Sequence, residues 1–291
     1  MSYTKEKGVR SSQYIIFSDL DDTLLEHDNY KWEKARPALE YCINSNIPVI
    51  LVSSKTRAEI LTIYEAMGLD FPFVSENGGG IFFPLGHEKF LRDRKLSISG
   101  GLIKLTLGIP YNELVVHLKA IKEETGLLLK GFSQMTPSEI MDLTGLTENQ
   151  CTQALEREFD EPFIVRRPEK GDAELLCSAA EKRGLKISEG GRFFHLHGES
   201  DKGKATCWLI SFYKERYDSV FSIALGDSPN DYAMFDVVNQ PVIIKSLRYL
   251  SDVELKERYP GIIITDKYGP EGWNEAVMGL LRTKREVLSD V

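Results

Sequence analysis

Five short apolar runs, each closed by polar or small residues, constrain this chain most: "YIIFSD", "IPVILVSS", "VFSIALGD", "PVIIKS" and "GIIIT". None alternates apolar with polar. Both faces of each run must therefore be covered, which is the condition of a parallel sheet lying between helices. Helix-like segments separate the runs: roughly 32 to 45, "TRAEILTIYEAM", "SPNDYAMFDVV" and "YLSDVELKERY". Two of the runs, followed by "PFVSENG", come early and three come late. One doubly wound α/β sheet can take both ends of the chain.

From about Phe90 to Gly198 the pattern changes. The strands "LIKLTLG", "GLLLKGF", "PFIVRR" and the close pair "GLKISE" and "RFFHLHG" alternate with helices at Pro110 to about Thr125, two more to about Phe159, and 171 to 183. This order predicts a separate α+β layer inserted into the first domain. The expected limits are 1–88 and 199–291 for the core and 89–198 for the insert, with hinges near 86–100 and 198–201. A length of 291 residues suits two such domains. The first dozen residues are expected to be mobile, and "LLRTKREVLSDV" to form a terminal helix. Thr56 with Glu59 fits a capping box, Gly68 a helix stop, and Ser228-Pro229 a helix start.

Hydrophobic residues make up 42% of the chain and charged residues 27%, enough for a sizeable core. The net charge of -8, with a pI near 5.3, disfavours nonspecific attraction to nucleic acid or to an anionic membrane. An anionic substrate would need a locally positive pocket. Cys42, Cys151, Cys177 and Cys207 are widely spaced and predict reduced core thiols, with neither a zinc site nor a disulfide framework. The polar start "MSYTKEKGVRSSQ" lacks a signal-peptide core, and no apolar run is long enough to span a bilayer. The cytoplasm is the expected location.

Ligands of open parallel sheets sit outside the carboxyl ends of the strands. The residues that close the apolar runs are therefore the candidates: Asp19, Asp21 and Thr23, then Ser53, Ser54 and Lys55, then Glu76 and Asn77, then Asp227 and Asp231. Lys202 opens the helix that leads back into the core. So many neighbouring carboxylates repel one another unless a cation lies between them. Mg²⁺ takes carboxylate, carbonyl and phosphate oxygens, and Asp19, the Asp21 carbonyl and Asp227 can supply three. An aspartate can also attack phosphorus. In that chemistry Asp19 at the strand end is the nucleophile, and Asp21, two residues on, serves as general acid and then general base. Ser53 and Lys202 would hold the phosphoryl oxygens. Ser53 is favoured over Ser54 because it ends the strand directly.

"DLDDT", "SSK", "DKGKA" and "GDSPND" resemble the four motifs of the haloacid dehalogenase superfamily of phosphatases, in the branch with a large α+β cap between the second and third motifs. Within that branch, "SSKTRAE", "SENGGGIFFP", "LEREFDEPF", "GGRFFHLHGESDKGKA" and "GDSPNDYAMF" are similar to the mannosyl-3-phosphoglycerate phosphatase family. The resemblance implies Mg²⁺-dependent hydrolysis of mannosyl-3-phosphoglycerate to mannosylglycerate, a compatible solute, and phosphate, through an aspartyl-phosphate. By motif position it implies catalytic Asp19, Asp21, Ser53 and Lys202, and metal ligands Asp19, Asp21 and Asp227 with Asp231 beside them. Asp22 departs from the Gly or Lys of many relatives and adds a charge near the metal.

Selectivity is expected from the cap, which closes over the core. Arg192 is the first candidate for the glycerate carboxylate, because a guanidinium suits bidentate recognition. Ser54, Lys55, Asn77, Glu158, His195 and Glu199 are further polar contacts. Against these stand plainer readings: His195 and His197 alternate along a strand, and the acidity of "EREFDEP" is that of a solvated helix end. The alternatives in function are a phosphatase for the glucosyl analogue or another sugar phosphate, a phosphomutase, and a noncatalytic phospho-acceptor module. The expected partner is a small phosphorylated glycoside, without nucleic acid or membrane. The oligomeric state stays open.

Overall fold

The computed structural model describes residues 12–27, 29–87, 91, 96–190, 192–246 and 252–289. The expected mobility of the first dozen residues falls almost wholly outside them. In chain order the strands are β1 (Ser12–Ser18), β2 (Val49–Leu51), β3 (Phe73–Ser75), β4 (Gly80–Pro84), β5 (Leu96–Ser99), β6 (Leu102–Thr106), β7 (Leu129–Gly131), β8 (Asp160–Val165), β9 (Lys186–Gly190), β10 (Phe193–His197), β11 (Ser219–Gly226), β12 (Gln240–Lys245) and β13 (Ile263–Tyr268). The helices are α1 (Arg36–Asn44), α2 (Arg57–Met67), α3 (Tyr111–Thr125), α4 (Pro137–Thr144), α5 (Glu148–Ala154), α6 (Asp172–Glu181), α7 (Lys202–Lys214), α8 (Tyr232–Phe235), α9 (Asp252–Arg258) and α10 (Gly269–Ser289).

The chain divides into two compact units, 1–50 with 206–291, and 51–205. In the first, the sheet order is β13-β12-β11-β1-β2, with parallel pairing of β1 to β11, β11 to β12 and β12 to β13. Ile15, Ile16 and Phe17 of β1 and Ile223, Ala224 and Leu225 of β11 are wholly buried, as apolar runs covered on both faces must be. The buried Trp273 of α10 donates from Nε1 to Ser18 Oγ at 3.0 Å. That bond satisfies two polar groups at the very end of β1.

The second unit holds two antiparallel sheets, β7-β8-β10-β9 and β3-β4-β6-β5. In α3, Leu114, Leu118 and Ile121 recur at helical spacing and form the buried face. They join Phe163, Leu176 and Leu196 in one core, where each buried Leu or Phe contributes about 1.5–3 kcal/mol. Gly126 ends α3 with φ at 70°, a left-handed value that favours glycine.

Several expectations meet the structure here. The Thr56–Glu59 capping box and the left-handed Gly68 stop are both present around α2. "PFVSENG" does not extend the parallel sheet. Its strand, β3, pairs antiparallel with β4 and meets the chain just after β2 through an isolated parallel bridge between Val52 and Val74. The cause lies in the next residues: Glu76, Asn77 and Gly78 all have positive φ and turn the chain back on itself. The expected limits at 88/89 and 198/199 both lie inside the second unit, and β4 pairs with β6 across the first of them. The thiols differ from expectation too. Cys42 and Cys151 are buried, but Cys177 is half-buried and Cys207 exposed. Among the described residues no helix is long and apolar enough to cross a membrane.

Candidate active site

The first unit presents an acidic cluster where β1 and β11 end. Asp19 follows β1 directly, and its N–H donates to Leu225 O at 2.9 Å, which locks it to β11. Carboxylate oxygens of Asp19, Asp227 and Asp231 lie within 4.8 Å of one another, and all three residues are buried. Asp231 braces the turn. Its Oδ2 accepts from Asp227 N at 3.1 Å and from Ser228 N and Oγ at 3.2 and 3.3 Å. Gly226 makes this possible, since a Cβ there would lie 2.3 Å from the Asp231 carboxyl.

Three like charges at that separation out of water are unfavourable without a cation. An all-oxygen donor set of buried aspartates fits a hard divalent ion such as Mg²⁺. Asp21 is half-buried and its carboxylate stands outside the cluster, which leaves its carbonyl as the group expected at the metal. The extra charge of Asp22 is directed elsewhere. With φ at 56°, Asp22 turns its Oδ2 to within 3.1 Å of His27 Nδ1. Both residues line a cavity of about 330 Å³ with Lys34, Lys245 and Tyr268.

The second unit presents the turn after β2. Ser53 is buried, and three successive carbonyls of the turn are engaged: Ser53 O by Asn77 N at 2.9 Å, Ser54 O by Arg157 Nη1 at 3.0 Å, and Lys55 O by Glu76 N at 3.0 Å. Lys55 N donates to Ser53 Oγ at 3.2 Å. Lys202, the first residue of α7, is 1% exposed. A buried cation at a helix N-terminus opposes the dipole. The α7 start is fixed by Gly78, where a Cβ would lie 2.2 Å from Asp201 O and φ is +102°.

Behind the turn lies a buried charge network that composition alone does not predict. The Glu76 carboxylate accepts from Glu158 N at 2.9 Å and Phe159 N at 2.8 Å. Burial pushes its carboxyl up to about 7, against the opposing pull of Arg157. Asp160 Oδ2 lies 2.7 Å from His195 Nδ1 and 3.4 Å from Arg157 Nη1. Burial raises the Asp160 carboxyl, but the adjacent His195 and Arg157 outweigh it and hold it below its ordinary value. Arg157 is likewise disfavoured by burial yet held above its ordinary value by Asp160 and Glu76.

The expected cap contacts part company here. Ser54, Lys55 and His195 line one cavity of about 150 Å³ together with Arg157, Phe132 and Phe193. Asn77 supports the turn through its backbone. Glu158 is held between Arg57 at 2.8 Å and Lys104 at 2.7 Å, so its carboxylate already has two cations. Glu199 is exposed and paired with Lys186 at 3.0 Å. Arg192 is exposed and donates to Leu143 O, outside the cavity. "EREFDEP" is not a solvated helix end, because Asp160 and Glu161 open the buried strand β8. The signal for Arg157 was its position, one cation among four acids that run into the start of a strand.

Glu76 carries a pH prediction. Its carboxyl has an ordinary value of 4.5 and stands near 7 when folded, so the folded protein binds more protons across that window. Stability therefore falls as pH rises from about 4.5 to 7, by up to about 3 kcal/mol. Glu76→Gln is expected to flatten this decline in urea unfolding measured at several pH values. An unchanged slope would remove Glu76 as its source.

The fold and the acidic strand ends define a haloacid dehalogenase-like hydrolase, and residues 16–100 match the model of that family. A solved structure from Thermoplasma acidophilum has the same fold, with 19% identity, a TM-score of 0.64, and coverage of 92% of this chain and 98% of its own. A glucosyl-3-phosphoglycerate/mannosyl-3-phosphoglycerate phosphatase of Persephonella marina is 37% identical over 92% of this chain and 97% of its own. A mannosyl-3-phosphoglycerate phosphatase of Pyrococcus horikoshii is 37% identical over 81% of this chain and 92% of its own. The chain belongs to the family of these phosphatases.

Proposed function

We propose that this enzyme hydrolyses mannosyl-3-phosphoglycerate to mannosylglycerate and phosphate, with Mg²⁺ as cofactor. The observation that carries the chemistry is the convergence of Asp19, Asp227 and Asp231 within 4.8 Å at the strand ends. The relatives' names carry the substrate class. Mg²⁺ held by Asp19, the Asp21 carbonyl and Asp227 would supply positive charge beside the phosphoryl oxygens.

Asp19 attacks phosphorus, forming a carboxylate oxygen to phosphorus bond as the bond to the ester oxygen breaks. Asp21 gives its proton to the departing oxygen. It then takes a proton from water, which attacks the aspartyl-phosphate, frees phosphate and restores Asp19. Ser53 and Lys202 hold the phosphoryl oxygens through both steps, since positioning and charge stabilisation dominate this transfer. The cavity lined by Ser54, Lys55 and His195 takes part of the glycosylglycerate.

A second reading, the glucosyl ester as an additional substrate, is favoured by the dual name of the Persephonella marina relative. A panel of phosphate esters scored by kcat/KM tests both. The mannosyl and glucosyl esters of 3-phosphoglycerate are expected to exceed free hexose phosphates. Equal or better turnover of hexose phosphates would overturn the substrate assignment.

A further inference from the structure

Arg157 belongs to neither the expected site nor the proposed chemistry, yet its side chain is 8% exposed and reaches three separate elements. Nε donates to Ala154 O at the end of α5 at 3.0 Å. Nη1 donates to Ser54 O at 3.0 Å and lies 3.4 Å from Asp160 Oδ2, which in turn meets His195 at 2.7 Å. A buried guanidinium is costly unless each contact is kept, so the arrangement is demanding. The phosphate turn could have used a backbone donor at Ser54 O, as it does at Ser53 O and Lys55 O.

The Ser54 carbonyl and the Lys55 N–H belong to one planar peptide and point to opposite sides. Arg157 grips the oxygen. The N–H on the other side donates to Ser53 Oγ at 3.2 Å. One rigid plate thus links a cap guanidinium to the hydroxyl assigned to the transferring phosphoryl group. We propose that Arg157 is a positioning residue that orients the Ser53 hydroxyl through the Ser54–Lys55 peptide. The inference rests on the function proposed above. It makes Arg157 matter to every phosphate ester, although it also lines the cavity assigned to the glycoside.

The test compares wild type with Arg157→Lys, which keeps the charge but loses the fork, and with Arg157→Ala supplemented with methylguanidinium. Substrates are mannosyl-3-phosphoglycerate and p-nitrophenyl phosphate, and orthovanadate inhibition is measured beside them. Misplacing a catalytic contact by about 1 Å costs about 10²-fold. Arg157→Lys is therefore expected to lower kcat by a similar factor on both esters and to weaken vanadate inhibition, with circular dichroism unchanged. Methylguanidinium is expected to restore part of the Arg157→Ala loss. Should Arg157→Ala fail to fold, the Arg157→Lys comparison decides alone. A loss confined to the glycosyl ester, with vanadate inhibition intact, would make Arg157 a substrate contact and overturn the inference, as would unchanged kinetics. Wild-type protein inert toward every ester would instead sink the proposed function, a result separable from either.

Discussion

Asp19→Asn is expected to release no measurable phosphate while remaining folded. Asparagine keeps the shape of the side chain at the end of β1 and leaves the backbone bond from residue 19 to Leu225 O in place. It removes the oxygen proposed as nucleophile and one of three converging charges. Loss of a nucleophile costs on the order of 10⁴–10⁶ in turnover. Phosphate release by malachite green and thermal melting by circular dichroism check both halves. Near-wild-type turnover would dismantle the assignment of Asp19.

The second large effect is metal removal. Chelation by EDTA is expected to stop turnover, and excess Mg²⁺ to restore it. A readout independent of activity follows from linkage: a ligand that binds only the folded state at a hundred times its Kd stabilises by about 2.7 kcal/mol. Wild type should therefore melt higher as Mg²⁺ is added. Asp227→Ala should lose that rise, because a cluster of two carboxylates is a weaker oxygen site. Undiminished hydrolysis in metal-free buffer, with a melting point indifferent to Mg²⁺, would contradict the ligand assignment.

Much of this architecture was legible in the residues. The apolar runs that became β1, β11, β12 and β13 need cover on both faces, and the acidic residues read at the ends of β1 and β11 do converge, as Asp19, Asp227 and Asp231. The caps of α2 were legible because capping depends on residues three apart. What escaped depended on contacts distant in sequence. β3 looked like another parallel strand until the positive φ of Glu76, Asn77 and Gly78 folded it onto β4. Arg192 looked suited to a carboxylate; at the turn between β9 and β10 it is exposed and one of its donors meets Leu143 O, a contact the sequence did not suggest. Arg157 and Asp160 lie in "EREFDEP", which read as a solvated helix end, and Glu76 read as a strand-end ligand candidate. They are buried because each finds partners 35 to 103 residues away in the chain, which no local pattern encodes.

The pairing of β1 with β11, Ser12 opposite Ser219, has a consequence for biosynthesis. On the ribosome, the first strand emerges soon before β2 but long before β11, and its β11 edge must wait unpaired while the intervening residues are made. Residues 51–205 form their own compact body and can mature during that interval. Closing so long a loop is what slows folding of nonlocal topologies. The N-terminal segment is thus the one most exposed to misassociation in the nascent chain, and the one a chaperone would have most reason to shield.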